Sequence, residues 1–385
     1  MATRRKGEPV RETPLAALHA AAGARFVEFA GWRLPVQFSS IAEETRAARR
    51  DAALFDISHM GHLRLRGGPS RRAGRWLLTR DVSAIPPGCS AYALLCNDQG
   101  GILDDLFVMV EAEQAVRLVV NAANHQKDLA WMRERTSAFA LEIEDLAGRT
   151  FGLALQGPRA EEILRAAGVA GDVPELFATF TRAAVGGADV LLSRTGYTGE
   201  DGFELFGDAP EAARAWQALS EAGRDRGLLP AGLGARDVLR QEMSYPLWGQ
   251  DIDEKTTPLE ARLSWAIEWG DDFIGRDAIA SSLPARRRIA LVVEGPGVAR
   301  AGARVLDRGR QVGTVTSGTY SHNLGRAIGQ AYITLAGGLG PGDAVDVEVR
   351  GRPVPARLMS LRLLPAHTRP SWTADPGESG HDHPG

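Results

Sequence analysis

Side-chain polarity changes rhythm several times along the chain. Residues 14–24 (PLAALHAAAGA) read as a short helix stopped at Gly23. Residues 41–53 (IAEETRAARRDAA) read as a longer one, acidic early and arginine-rich late, the order that the helix dipole favours. Between them FVEFAGWRLPVQF has strand and loop character, interrupted at Gly31 and Pro35. After residue 60, HLRLRG alternates as a strand, and PSRRAGRWLLTRD follows as a helix opened by Pro69 and Ser70. Three strands come next, AYALLCN, ILDDLFVMV and AVRLVVN, the first two joined by the turn-forming Asp98-Gln99-Gly100-Gly101. A helix, NHQKDLAWMRERTSAF, and a strand, ALEIEDL, close the segment. This order predicts an α+β sandwich, with helices on one face of an antiparallel sheet.

Beyond residue 150, FGLALQG reads as a strand and PRAEEILRAAG as a helix with Pro158 in its first turn. DVLLSRTGY and FELFG read as a hairpin, followed by helices over 210–226 and 233–244. From 287 to 364 short strands punctuated by Gly and Pro predict a small barrel or sandwich. The polar, proline-containing tail from His367, closing on HDHPG, reads as disordered and solvated.

A chain of 385 residues has room for two or three domains. Its net charge of −3 gives no reason to expect nucleic acid or an anionic membrane as partner. No apolar run approaches the ~20 residues of a membrane span, and Met1–Thr13 lacks the apolar stretch of a secretory signal. Cys89 and Cys96 lack the spacing of a zinc site and read as free thiols of a reducing cytoplasm. The expectation is a soluble, cytoplasmic protein.

Nucleotide and hydrolase signatures are missing: there is no G-x-x-x-x-G-K-[ST], no H-E-x-x-H and no G-x-S-x-G, and Arg300 stands where Gly295-Pro-Gly297 would need a third glycine. Four other features carry polar chemistry. Asp104 and Asp105 interrupt an apolar strand on opposite faces, so at least one carboxylate points into apolar surroundings, which is costly unless it is paired or used. Arg194-Thr-Gly-Tyr197-Thr-Gly199-Glu200-Asp201-Gly202-Phe203-Glu204 reads as a tight hairpin with Tyr197 and Glu204 on its arms. Arg236 and Arg240 share one helix face, by pattern a solvated one. His59 lies in Phe55-Asp-Ile-Ser-His-Met-Gly61, where a structural hydrogen-bonding role is the simplest account.

Taken together, and in order, FAGWRLPVQF, ARRDAALFDISHMG, NDQGGILDDLFV, LVVNAAN, LALQGP, RTGYTGEDGFEL, ARDVLRQE, TPLEARLSW, FIGRDAI and GTVTSG resemble the T-proteins of the glycine cleavage system over roughly 14–365. That resemblance implies an α+β fold of three domains in a cloverleaf. A discontinuous first domain (14–58 and 148–272) would wrap a ferredoxin-like α+β insertion (59–147), ahead of a small C-terminal β-barrel or jelly-roll-like domain (285–365), with disordered tails at 1–13 and 367–385. It also implies aminomethyl transfer from the lipoyl arm of the H-protein to tetrahydrofolate, a co-substrate, with release of ammonia and no metal. By position it assigns the catalytic carboxylate to Asp105 and a folate channel to Tyr92, Asn121, Tyr197, Glu204 and Arg236, with Met60 beside the pterin.

Two relatives with similar folds stay open on the same residues: one-carbon transferases serving methylamine-type donors, and a non-enzymatic iron–sulfur maintenance protein. The latter group carries Lys-Gly-Cys-Tyr-x-Gly-Gln-Glu, whereas this chain has Asp272-Phe-Ile-Gly-Arg276-Asp277. Departures from the T-protein pattern at Thr45, Gln241–Tyr245, Trp248 and Ser321–Leu324 fall on helix packing and loops rather than on the matched channel positions.

Overall fold

The computed structural model describes residues 9–270 and 272–373. The fold is α+β, built on three main sheets. A six-stranded sheet runs in the order Phe180–Val185, Ala188–Ser193, Gly202–Asp208, Thr150–Gln156, Ala52–Asp56 and Leu228–Ala231, antiparallel except for the last pair. A five-stranded antiparallel sheet follows the order Ser90–Cys96, Ile102–Ala112, Ala115–Val120, Gly61–Arg66 and Glu142–Asp145. Arg286–Met359 supplies the six strands of a closed barrel. A smaller sheet of Arg11–Glu12, Trp32–Gln37 and Arg25–Phe29 lies at the N-terminal end.

The five-stranded sheet is the layer that matters for chemistry, because both its faces are covered. Leu106, Val108 and Val110 pack with Leu77, Leu129 and Met132 of the helices Ser70–Leu77 and His125–Arg135. From the same strand, Phe107 and Met109 turn the other way, onto Phe55 and Phe206 of the six-stranded sheet and Ile57 just beyond it. Alternation along one strand thus sends neighbouring residues into two different interiors. The turn that feeds this strand needs glycine for space: a Cβ at Gly101 would lie 1.8 Å from the Glu254 carbonyl oxygen.

Three expectations are corrected. The helix over 41–53 ends at Arg50, and Ala52–Asp56 forms a central strand in which Ala52, Ala53, Leu54 and Phe55 are all buried. A short apolar run buried on both faces carries no periodicity to separate strand from helix, which is why the pattern misreads it. The expected N-terminal disorder fails at Arg11–Glu12, which pairs in parallel with Trp32 and Arg33; residues 1–8 lie outside the described residues. The C-terminal tail likewise packs through residue 373. The His367 amide donates to the Gly199 carbonyl at 2.8 Å, and the Trp372 indole donates to the Ser90 carbonyl at 2.9 Å. The expectation for 374–385, HDHPG included, falls outside the described residues.

Candidate active site

Where the two large sheets face each other, with the helix Leu233–Glu242 and the loop after it, they enclose a cavity of about 410 Å³. Its lining is mainly apolar, from Phe29, Ile57, Met60, Phe107, Met109 and Trp248, with a few convergent polar groups. Tyr92, Asp105, Asn121, Tyr197, Glu204 and Arg236 all reach this one space, as does Met60.

Asp105 is the most constrained of them. The Tyr92 hydroxyl donates to its Oδ2 at 3.0 Å, and the Asn121 amide donates to its Oδ1 at 2.9 Å. Burial raises its proton affinity first, the Asp104 charge adds to this, and the two hydrogen bonds oppose it, leaving a pKa of about 7. A carboxyl that exchanges a proton near neutrality is matched to general acid–base work. Asp104, on the opposite face, is wholly buried. It accepts from the Asn121 backbone at 2.9 Å, the Asn121 side chain at 2.9 Å and the Asn124 side chain at 2.6 Å.

From the six-stranded sheet, Glu204 enters the lining with Thr195 donating to its Oε2 at 2.6 Å. Burial raises the proton affinity of Glu204, against the pull of Thr195 and Arg236. The Arg236 guanidinium lies 4.6 Å above the Tyr197 ring, which stacks on Tyr245 at 5.6 Å. The Tyr197 hydroxyl donates to the Pro246 carbonyl. Gly196 is required here for close approach, since a Cβ would come within 1.9 Å of Gln156 Oε1.

Two readings from pattern are revised at this site. Arg240 is not on a solvated face: it is 1% exposed and bonds Asp251 at 2.7 Å and Ser317 of the barrel at 3.1 Å. His59 lines the cavity at 4% exposure, with no hydrogen-bond partner for Nδ1 among the described residues. Burial, then Arg236, lowers its pKa to about 4, so the ring is neutral at physiological pH. Trp248, noted only as a departure, also forms cavity wall and donates to the Ile102 carbonyl at 2.9 Å. Its sequence signal was the substitution itself.

A largely apolar cavity between packed sheets, with a few convergent polar groups and one carboxyl poised near neutrality, has the make-up of a site for a small molecule. Comparison with known proteins narrows the class. Residues 15–271 match the family model described as the GCVT N-terminal domain, and 286–364 match the glycine cleavage T-protein C-terminal barrel domain. An aminomethyltransferase of Rubrobacter xylanophilus is 44% identical over 379 residues, spanning 96% of this chain and 98% of its own. One from Thermotoga petrophila is 41% identical over 345 residues, 89% of this chain and 94% of its own. The crystal structure of glycine cleavage system aminomethyltransferase T from Bartonella henselae matches with a TM-score of 0.87 at 34% identity, covering 94% of this chain and 99% of that one.

The chain belongs to the glycine cleavage T-protein family. It is a transferase of glycine catabolism and one-carbon metabolism, in a family that uses tetrahydrofolate as a substrate and works with a partner inside the glycine cleavage system. No helix among the described residues is long and apolar enough to cross a membrane.

Proposed function

We propose that the cavity binds tetrahydrofolate, that Asp105 exchanges protons with it, and that the one-carbon donor is the aminomethylated lipoyl arm of the H-protein, in the cytoplasm. On this reading the units 14–58 with 148–272, 59–147 and 285–365 cooperate around one substrate channel. Transfer of the carbon onto N5 and N10 displaces two folate N–H protons, and ammonia and the freed thiol each leave with one. The chain therefore needs a group that takes a proton and gives it back in one turnover. Asp105 suits that role, because its carboxyl is held by Tyr92 and Asn121 at the cavity wall and titrates near neutrality. This observation carries the proposal.

Glu204 offers acceptor oxygens to the donor edge of the pterin, Met60 adds an apolar contact, and Tyr197 with Arg236 forms a cationic aromatic wall for the remainder of the substrate. The test is formation of methylene-tetrahydrofolate from aminomethylated H-protein, beside the same assay with free methylamine donors. Product only from the H-protein donor is expected; equal or faster turnover of free methylamines would overturn the donor assignment.

A further inference from the structure

Behind the cavity, on the helix-covered face of the sheet, lies a third carboxyl that the reaction as described does not use. Asp128, in the helix His125–Arg135, is wholly buried against Asp104. Neither of its oxygens receives a hydrogen bond from any N–H or O–H among the described residues. Asp104, by contrast, collects three N–H donors from Asn121 and Asn124. Two adjacent buried carboxyls, one rich in donors and one without any, are accommodated when the donor-poor one carries a proton and gives it to the other.

We infer that Asp128 is a positioning residue: protonated, it donates to Asp104, keeps Asp104 the ionised member of the Asp104–Asp105 pair, and so leaves Asp105 as the group that exchanges protons in the cavity. The link to the cavity is short. The Asn121 amide donates to Oδ1 of both Asp104 and Asp105 at 2.9 Å. Burial, then Asp104, raises the proton affinity of Asp128 well above the carboxylate range. The charged groups around it are few. Lys127 on the same helix turns to the Leu103 carbonyl at 2.9 Å and to Glu254 at 2.8 Å, Asp104 and Asp105 face it from the strand, and Tyr92 lies beyond Asp105. None of these supplies Asp128 with a hydrogen bond.

The inference rests on Asp105 being the proton-exchanging group, and the test separates the two. Asp128→Leu removes the donor while keeping the branching and the number of side-chain heavy atoms, so Asp104 competes for the proton and Asp105 ionises at lower pH. The acidic limb of kcat/KM should move down by about one pH unit, and kcat should fall about tenfold with little change in the folate KM. Asp128→Asn keeps an N–H donor and should rescue the rate to within about threefold, with the limb near its wild-type position. Independently of activity, carbon NMR of aspartate-labelled protein should show one carboxyl that stays protonated from about pH 5 to about pH 9 and is missing in Asp128→Asn. If Asp128→Leu does not fold, this spectrum decides alone. An Asp128 carboxyl titrating in the ordinary range, or equal losses in both variants with an unmoved limb, would reduce Asp128 to helix packing and overturn the inference. An inactive Asp105→Asn enzyme beside such a result leaves the Asp105 reading standing; a fully active one removes both.

Discussion

The five-stranded sheet and the C-terminal barrel are both closed apolar interiors, yet they treat charge oppositely. The barrel core packs Ile289, Leu291, Val293, Val305, Val347 and Leu358, and no carboxyl of its strands is buried among the described residues. Its buried polar side chains, Arg288, Ser317, Ser321 and Gln330, lie at the seam with the rest of the chain: Arg288 bonds Gln330 at 2.6 Å and the Ser244 carbonyl at 2.7 Å, Ser317 bonds Asp251 at 2.7 Å and Ser321 bonds Glu242 at 2.6 Å. The five-stranded sheet instead places Asp104 and Asp128 among Leu106, Val108, Leu129 and Met132, and Asp105 one residue away on the cavity side. Burying carboxyls in this way works against stability. A fold that avoids it in one interior and tolerates it in another has a use for the second arrangement, and the proton exchange of Asp105 supplies that use.

Mutations should fall on either side of this contrast. The largest effect is expected for Asp105→Asn, which keeps volume and loses the exchangeable proton; turnover should fall by ~10²–10⁴-fold. Its stability should respond in the opposite sense. Asp105 has a folded pKa raised to about 7, so its contribution to stability is fully present below the unfolded carboxylate pKa and is lost as pH rises through about 7. Thermal melts of Asp105→Asn from about pH 4 to about pH 8 should therefore decline less with pH than those of the wild type. A parallel decline would mean that Asp105 carries no such cost.

In the barrel, Leu291→Ala should lower unfolding free energy by ~2–5 kcal/mol in denaturant titrations, while turnover per folded molecule stays close to wild type. A comparable loss of rate in the folded fraction would make the barrel part of the chemistry. Glu204→Gln sits between the two classes: calorimetry should show tetrahydrofolate affinity weakened by ~1–3 kcal/mol with the fold intact. The smallest effect is expected at the C-terminus. Removing residues 368–385 deletes the indole contact of Trp372 and should lower stability by about 1 kcal/mol, read as a modest fall in Tm, with catalysis retained.

Much of this was legible in the chain. The alternation of Ile102–Ala112 was enough to separate Asp104 from Asp105, and the run of strands after residue 286 to anticipate the barrel. Local pattern failed where tertiary burial decides. Ala52–Asp56 looks helical because it is apolar on both faces, and Arg240 looks solvated because its partners, Asp251 and Ser317, are distant in sequence. Phe180–Val185 and Leu228–Ala231 are edge strands that become definite only beside the strands they pair with. Asp128 was hidden for a related reason: an acidic residue in the first turn of a helix is ordinary, and only its contact with Asp104 makes it otherwise.

The central claim is that the two neighbouring aspartates do different work, and single-turnover formation of methylene-tetrahydrofolate by Asp105→Asn and Asp104→Asn, with thermal melts alongside, tests it most directly. Asp105→Asn should be well folded, bind folate nearly as the wild type does, and lose ~10²–10⁴-fold in rate. Asp104→Asn should lose stability, because Asn121 and Asn124 then face an amide in place of a carboxylate, and should show a milder loss of rate per folded molecule. An Asp105→Asn enzyme within about tenfold of wild type, beside an Asp104→Asn enzyme that is folded but inactive, would put the chemistry on the other carboxylate and contradict the account.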